Sequence, residues 1–264
     1  MKNFNKNILS RFGFRFDNGS AHTARTMMLE DLQLLLSYVN HPDSSKNDYL
    51  KAIEEDNCLG KRSGKTRILT SRYLVYLYSL DPSTTIFRAL RYFWERDIDG
   101  QPLVALLCSY SRDSILRLSE PFIVQLTEGE TTTRETLEEY IDEKEPDRFS
   151  KATLKSTAQN LNSTWTKSGH LIGKVKKVRS RAIATPGSVS YALFLGYLTG
   201  IRGESLFTTE YTCLLDSSKA RLIELAEDAS RRGWIVFKRI GNVMEVQFPN
   251  LLTAQEKEWI HEQN

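Results

Sequence analysis

The sequence predicts a mainly α-helical fold, a helical bundle that contains helix-turn-helix or winged-helix modules and a small C-terminal β-hairpin. Apolar residues recur in several segments at the three-and-four spacing of one helix face. Capping residues, prolines and glycines separate these segments. Two alternating apolar stretches around the tight turn 240–242 indicate the hairpin. Hydrophobic residues make up 40% and charged residues 26% of the chain, which is typical of a protein with a buried core.

The N-terminal half begins with an arm and continues as helices. Residues 1–20 lack a clear period, and we expect the phenylalanines of this arm to dock on the body, namely Phe4, Phe12, Phe14 and Phe16. The segment 26–39 places Met28, Leu32, Leu35, Leu36 and Val39 on one helix face, and His41-Pro42-Asp43 ends it.

A helix-turn-helix pattern follows this first helix. A short helix over 48–55 leads into the turn Asn57-Cys58-Leu59-Gly60, and a longer helix is expected over 65–79. Pro82 and Ser83 open a further helix through Trp94. Pro102 opens another, which we expect to run through Leu107, Leu116 and Leu118 towards Pro121.

A domain junction is predicted near the acidic helix 134–143, giving domains 1–125 and 126–264. This helix follows a capping threonine, Thr133, and ends before Pro146. Ser150 then caps a helix to Lys167 whose apolar stripe is Leu154, Ala158, Leu161 and Trp165, and Gly169 stops it. Thr185-Pro186 begins a helix carrying 191–198, a last helix spans 217–232, and the hairpin covers 234–248.

Charge is segregated along the chain although the net charge is only +3. Residues 128–147 carry nine acidic side chains against two basic ones, whereas residues 151–203 carry nine basic side chains and no acid. Such a concentration of positive charge favours a polyanion, because each neutralised phosphate releases a condensed counterion. The segregation therefore points to nucleic acid.

The main candidate binding site for double-stranded DNA lies in the basic run, at Lys151, Lys155, Lys167, Lys174, Lys176, Lys177, Arg179 and Arg181. The helix in front of this run is rich in short amides and hydroxyls, which suit phosphates and base edges in a major groove. A solvated face with a mobile lysine-rich loop is the alternative.

A second basic patch lies at the turn and at the start of the second helix of the helix-turn-helix pattern, at Lys61, Arg62, Lys65, Arg67 and Arg72. Residues 57–80 contain no acid. The second helix of such a pair contacts bases through its first residues. A structural role, or binding of an acidic protein segment, is an equal alternative.

Enzymatic and cofactor-binding classes find little support. Gly60 and Gly64 are separated by three residues rather than the four of a phosphate-binding loop. No histidine has a partner at metal-ligand spacing, which holds for His22, His41, His170 and His261. Three aspartates could be imagined as the metal ligands of a nuclease, but a role as helix caps or surface residues fits them better: Asp97, Asp99 and Asp113. We therefore expect no enzyme, no metal and no cofactor.

A cytoplasmic protein without a membrane span is expected. The three cysteines, Cys58, Cys108 and Cys213, are far apart and odd in number, and the longest apolar runs are about eight residues against the roughly 20 of a span. The C-terminal hairpin carries Lys238 and Arg239 near its turn, so it could serve as a wing on a minor groove, although a structural role fits better.

Several stretches resemble the BrxA family of BREX phage-defence systems. They are Gly60-Lys-Arg-Ser-Gly-Lys-Thr-Arg, Leu90-Arg-Tyr-Phe-Trp, Gln101-Pro-Leu-Val-Ala-Leu-Leu, Ser111-Arg-Asp, Leu154-Lys-Ser-Thr-Ala-Gln-Asn-Leu and Tyr191-Ala-Leu-Phe-Leu-Gly-Tyr. The resemblance implies a cytoplasmic, non-enzymatic, DNA-binding accessory protein that meets other BREX proteins. The rival hypotheses are a protein interaction or scaffold component and a helical-bundle RNA-binding protein. The sequence leaves the oligomeric state open.

Overall fold

A computed structural model describes residues 5–41, 44–241 and 243–262. Within these ranges the chain forms thirteen α-helices, one 3-10 helix and five short strands. In chain order they are α1 (Lys6–Phe12), α2 (Leu29–Tyr38), α3 (Lys46–Glu54), α4 (Gly64–Tyr78), α5 (Thr85–Arg96), α6 (Gln101–Tyr110), α7 (Ser114–Gln125), β1 (Thr131–Thr132), α8 (Arg134–Lys144), α9 (Lys151–Lys167), β2 (Leu171–Ile172), β3 (Lys177–Arg179), α10 (Pro186–Leu198), the 3-10 helix (Gly203–Thr208), α11 (Glu210–Cys213), α12 (Lys219–Arg231), β4 (Val236–Ile240), β5 (Val243–Gln247) and α13 (Ala254–His261). The mainly helical fold and the C-terminal hairpin are confirmed.

Helix α10 is the centre of the core. Its side chains are buried almost all round, as expected of a helix without a polar face. It packs against α5, α6, α11 and α12. The hydroxyl of Tyr191 donates to the carbonyl of Ile86 at 3.0 Å. Elements on both sides of position 125 thus share this core, and the two-domain division remains a prediction.

The helices begin where their caps are in the sequence. The hydroxyl of Ser150 accepts from the amide of Thr153 at 3.2 Å at the start of α9. Thr185 caps α10 in the same way, and Pro186 occupies its first position. The predicted helices α2, α3, α4, α8 and α12 also lie within a few residues of their expected bounds.

The prediction of a single helix from Pro102 to Pro121 is wrong. This segment forms two helices, α6 and α7, which are separated at Asp113. One carboxylate oxygen of Asp113 accepts from the amides of Ile115 and Leu116 at 3.1 and 3.0 Å, and this cap starts a new helix. Pro121 lies inside α7 rather than ending it.

Two terminal helices were not predicted. Helix α1 lies within the expected arm and is capped by Asn5. Helix α13 follows the hairpin and begins with a reciprocal capping box between Thr253 and Glu256. In the arm, Phe12 and Phe14 are buried as expected, whereas Phe16 is 36% exposed. Phe4, the expected helix stop at residues 42–43 and turn residue 242 lie outside the described residues.

The strands form two small antiparallel sheets. The first has the order β1-β3-β2, with Thr131 opposite Val178 and Leu171 opposite Arg179. The second is the C-terminal hairpin, in which Val236 pairs with Gln247 and Ile240 with Val243. The first sheet brings the segment before α8 next to the hairpin that follows α9.

Candidate nucleic-acid interface

Helix α9 presents a polar face to solvent. Its other face is buried through Ala158, Leu161 and Trp165, and the indole of Trp165 donates to the hydroxyl of Ser119 on α7 at 3.0 Å. The exposed side carries Lys151, Lys155 and Gln159. Burial of one face of α9 therefore leaves cationic and amide side chains on the opposite face.

The β2–β3 hairpin follows α9 after a short turn. Its loop, 173–176, exposes Lys174, Val175 and Lys176, and Val175 is 93% exposed. Gly173 has a φ of +96°, and a Cβ there would lie 2.4 Å from the carbonyl oxygen of Lys176. Only glycine fits such a tight turn. The loop thus projects two lysines and an apolar tip beyond the body.

A cleft of about 480 Å³ separates the polar face of α9 from this loop. Its walls are the first turn of α8, the middle of α9 and the hairpin loop. The lining residues are Thr133, Arg134, Glu135, Gln159, Asn162, Ser163, Lys174, Val175, Lys176 and Lys177. The hydrogen-bonding side chains of α9 and the lysines of the loop therefore share one surface.

Lys177 and Arg179 of β3 face the interior. The ammonium of Lys177 donates to the carbonyl of Gly173 at 2.7 Å, and burial lowers the pKa of this lysine. The guanidinium of Arg179 donates to both carboxylate oxygens of Asp216 at 2.7 and 2.6 Å. Burial acts to raise the pKa of Asp216, but Arg179 and its other partners hold it below its ordinary value. These two residues secure the hairpin, so we leave them out of the interface.

The second predicted patch lies around the start of α4. Arg62, Lys65 and Arg72 are exposed, and one guanidinium nitrogen of Arg67 donates to the carbonyl of Glu55 at 3.2 Å. The hydroxyl of Ser63 caps α4 by accepting from the amide of Thr66 at 3.2 Å. The same helix also exposes two apolar side chains, Ile68 and Leu69.

The two predicted patches meet at a cleft of about 320 Å³ between α4 and α9. Lys61 comes from the second patch, at α4, and Lys167 from the main basic run. Both are paired with carboxylates at the start of α2, Lys61 with Asp31 at 2.7 Å and Lys167 with Glu30. Burial acts to raise the pKa of Glu30, but the bond and charge of Lys167 hold it below its ordinary value. Sequence reasoning missed this acidic pair, since only the fold brings α2 here.

The predicted basic residues thus fall into three groups. Four pair with carboxylates: Lys61, Lys167, Arg179 and Arg181, the last with Glu128 at 2.8 Å. Two bond to backbone carbonyls, Arg67 and Lys177. Seven are exposed and make no ion pair within the described residues: Arg62, Lys65, Arg72, Lys151, Lys155, Lys174 and Lys176. These seven are the candidates best placed to meet phosphates from solvent.

The buried side chain of His22 connects the N-terminal segment to two helices. The Nδ1 of His22 lies 3.1 Å from Asp113, and its Nε2 lies 3.0 Å from the hydroxyl of Thr164 on α9. Burial acts to raise the pKa of Asp113, but its contact with His22 and the amides that it caps lower it to about 2. The expected capping role of Asp113 is confirmed. All three side chains are fully buried, so the contacts tie the N-terminal segment to α7 and α9.

The described part of the chain was also compared with the features of metal sites, membrane spans and known proteins. Among residues 5–41, 44–241 and 243–262 no three potential ligands are grouped as a metal site would need. No helix in this part of the chain is long and apolar enough to cross a bilayer. No protein-family model matches the chain, and no curated protein matches it. The surfaces themselves are therefore the basis for assigning a function.

Proposed function

We propose that this chain binds double-stranded DNA through α9 and the β2–β3 hairpin, as a winged-helix module. The supporting observation is the element order α7, β1, α8, α9, β2, β3 with the sheet order β1-β3-β2. Winged-helix domains have this arrangement, in which the third helix enters the major groove and the last two strands form the wing. Helix α9 would then read the groove, and Lys174 and Lys176 would contact phosphates.

The wing in this proposal is the loop 173–176 rather than the C-terminal hairpin. The β2–β3 hairpin directly follows α9, and its tip carries two lysines that form no ion pair with any residue the structure describes. The C-terminal hairpin instead follows α12, and its exposed end includes Ile240 and Val243 beside Lys238 and Arg239. Its inner face packs on the core through Met244 and Val246, which fits a structural role.

A second contact region is proposed at α4. Helix α3 packs against both α2 and α4, and α4 would serve as the recognition helix of this helix-turn-helix pair. Lys65 and Arg72 would bind phosphates, and the exposed Ile68 and Leu69 suit the methyl groups of thymine. Since α4 and α9 line one cleft, both regions can meet the same duplex.

The biological setting remains an inference from the resemblance to the BrxA family. We infer a cytoplasmic accessory protein of a bacterial phage-defence system that performs no catalytic step and meets other BREX proteins. Phosphate contacts dominate the proposed surface, so we expect weak sequence preference.

The test compares binding of the full chain to a duplex DNA, its two single strands and an RNA duplex by fluorescence anisotropy. Duplex DNA should bind most tightly, and its affinity should fall steeply between about 50 and 200 mM salt. Equal or tighter binding to RNA would favour the helical-bundle RNA-binding alternative. Absence of binding at low salt would rule out the proposal.

A scaffold role is the second candidate, and helix α8 favours it. Glu139 and Asp142 of this helix are exposed and make no ion pair within the described residues. An acidic helix of this kind could dock on a basic partner protein. Reversing both charges should abolish co-purification with a tagged BREX partner while leaving duplex binding unchanged. Intact co-purification of the E139K/D142K variant would remove α8 from this role.

A further inference from the structure

The cleft between α9 and the β2–β3 loop contains a buried polar group without a partner. Asn162 is 5% exposed, and its side-chain oxygen Oδ1 accepts no hydrogen bond from any described residue. A buried acceptor without a donor is destabilising, because it has lost its hydrogen bonds to water. The other polar groups of α9 that face inward are bonded, for example Ser156 to the carbonyl of Thr23 at 3.1 Å. Asn162 therefore lacks a hydrogen-bond donor that a ligand could supply.

Positive charge surrounds the same cleft. Lys174 and Lys176 are exposed and make no ion pair within the described residues, and the first turn of α8 adds the positive end of a helix dipole. The one carboxylate in the wall, Glu135, is paired with Arg134. A ligand that bonds to Asn162 is therefore expected to carry an anionic group as well.

We propose that this cleft binds one adenine nucleotide unit. Asparagine and glutamine recognise adenine by accepting from its exocyclic amino group and donating to N7, and Asn162 and Gln159 lie one helical turn apart in the wall. The phosphate would lie against Lys174 and Lys176. The volume of about 480 Å³ is within the range of roughly 300–1,000 Å³ of small-ligand sites.

The nucleotide can come from two sources, a free mononucleotide or an unstacked nucleotide of a bound DNA strand. The second source rests on the proposed DNA-binding function, whereas the first does not. Loss of stacking is least costly at a mismatched or single-stranded position, so such a position is the appropriate probe.

Titration of the full chain by NMR with dAMP tests the site itself. We expect saturable binding that weakens at least tenfold with purine deoxyriboside 5′-phosphate, which lacks the amino group, and with deoxyadenosine, which lacks the phosphate. The N162A variant should lose the preference for the amino group, and K174A/K176A the preference for the phosphate. Asn160 on the same helix bonds to the carbonyl of His22 at 2.9 Å, so N160A is the matched control and should retain both preferences.

A second arm uses DNA with a mismatched adenine beside 2-aminopurine, whose fluorescence rises when its neighbour unstacks. If dAMP does not bind but the fluorescence rises with wild type and not with N162A, the nucleotide comes from DNA. If neither probe responds while the chain still binds duplex DNA, the nucleotide site is wrong and the DNA-binding function stands. If dAMP binds but no duplex does, the site stands and the DNA-binding function falls.

Discussion

The carboxylate of Asp31 accepts a hydrogen bond from the ammonium of Lys61 at 2.7 Å, in the cleft between α4 and α9. The neighbouring Glu30 pairs with Lys167 across the same cleft. Two carboxylates at the start of α2 therefore form ion pairs with two of the lysines that the sequence predicts to bind phosphate. Phosphate groups would compete with these carboxylates for the same lysines.

Removing one of these carboxylate charges should strengthen DNA binding. The D31N variant frees Lys61 for a phosphate, so we expect severalfold higher duplex affinity and a salt dependence steeper by about one. Fluorescence anisotropy over a salt series measures both. The control is D228N, since Asp228 of α12 pairs with Arg232, the residue that follows this helix. Unchanged affinity of D31N would place the α4–α9 cleft outside the interface.

Arg179 should prove structural although it lies in the basic run. Removing one partner of a buried ion pair leaves the other charge uncompensated, which costs about 3–5 kcal/mol. We therefore expect R179A to lower the free energy of unfolding in urea by about 3 kcal/mol or more. Duplex affinity, corrected for the folded fraction, should change less than twofold. A stable R179A variant with weakened DNA binding would instead return Arg179 to the interface.

His170 should make stability depend on pH. Burial lowers its pKa from 6.5 to about 4, so on acidification the unfolded chain takes up this proton first. The contribution of His170 to the free energy of unfolding is therefore complete above pH 6.5. It is lost as the pH falls from 6.5 towards 4, by roughly 3 kcal/mol in all.

Urea denaturation at several pH values measures this loss. The H170Q variant should show a flatter dependence, whatever its absolute stability. A wild-type slope in H170Q would mean that another group causes the pH dependence.

Local signals made much of the fold predictable. Helices α9 and α10 were located because Ser150 and the Thr185-Pro186 pair cap them and because their apolar spacing is regular. Strands β1, β2 and β3 have two or three residues each, too few to show alternation, and β1 pairs with β3 across two intervening helices. This sheet depends on contacts that are distant in the sequence.

The sequence also does not predict which face of β3 points to the interior. Alternation places Lys177 and Arg179 towards the interior and leaves Val178 half-buried, which is the reverse of what hydrophobicity suggests. The partner that makes this arrangement stable, Asp216, lies 37 residues after Arg179. Charge density points equally to the loop lysines Lys174 and Lys176, which are exposed, and to Lys177 and Arg179, which are buried, and it cannot separate the two pairs.

The start of α4 should contribute to the same footprint. In K65A/R72A two unpaired cations are lost, so we expect weaker duplex binding and a salt slope reduced by about two. Both side chains are exposed, and thermal unfolding should be unchanged. A gel shift with one duplex long enough for both modules makes the comparison. Full affinity in this variant would confine DNA binding to α9 and its hairpin.

The most direct measurement compares the two hairpins by the salt dependence of duplex binding. We predict that K174A/K176A, in the β2–β3 loop, reduces the slope of log affinity against log salt by about two. The variant K238A/R239A, in the C-terminal hairpin, should keep the wild-type slope. An unchanged slope in K174A/K176A, or a reduced slope confined to K238A/R239A, would contradict the assignment of α9 and the 173–176 loop as the DNA-binding surface.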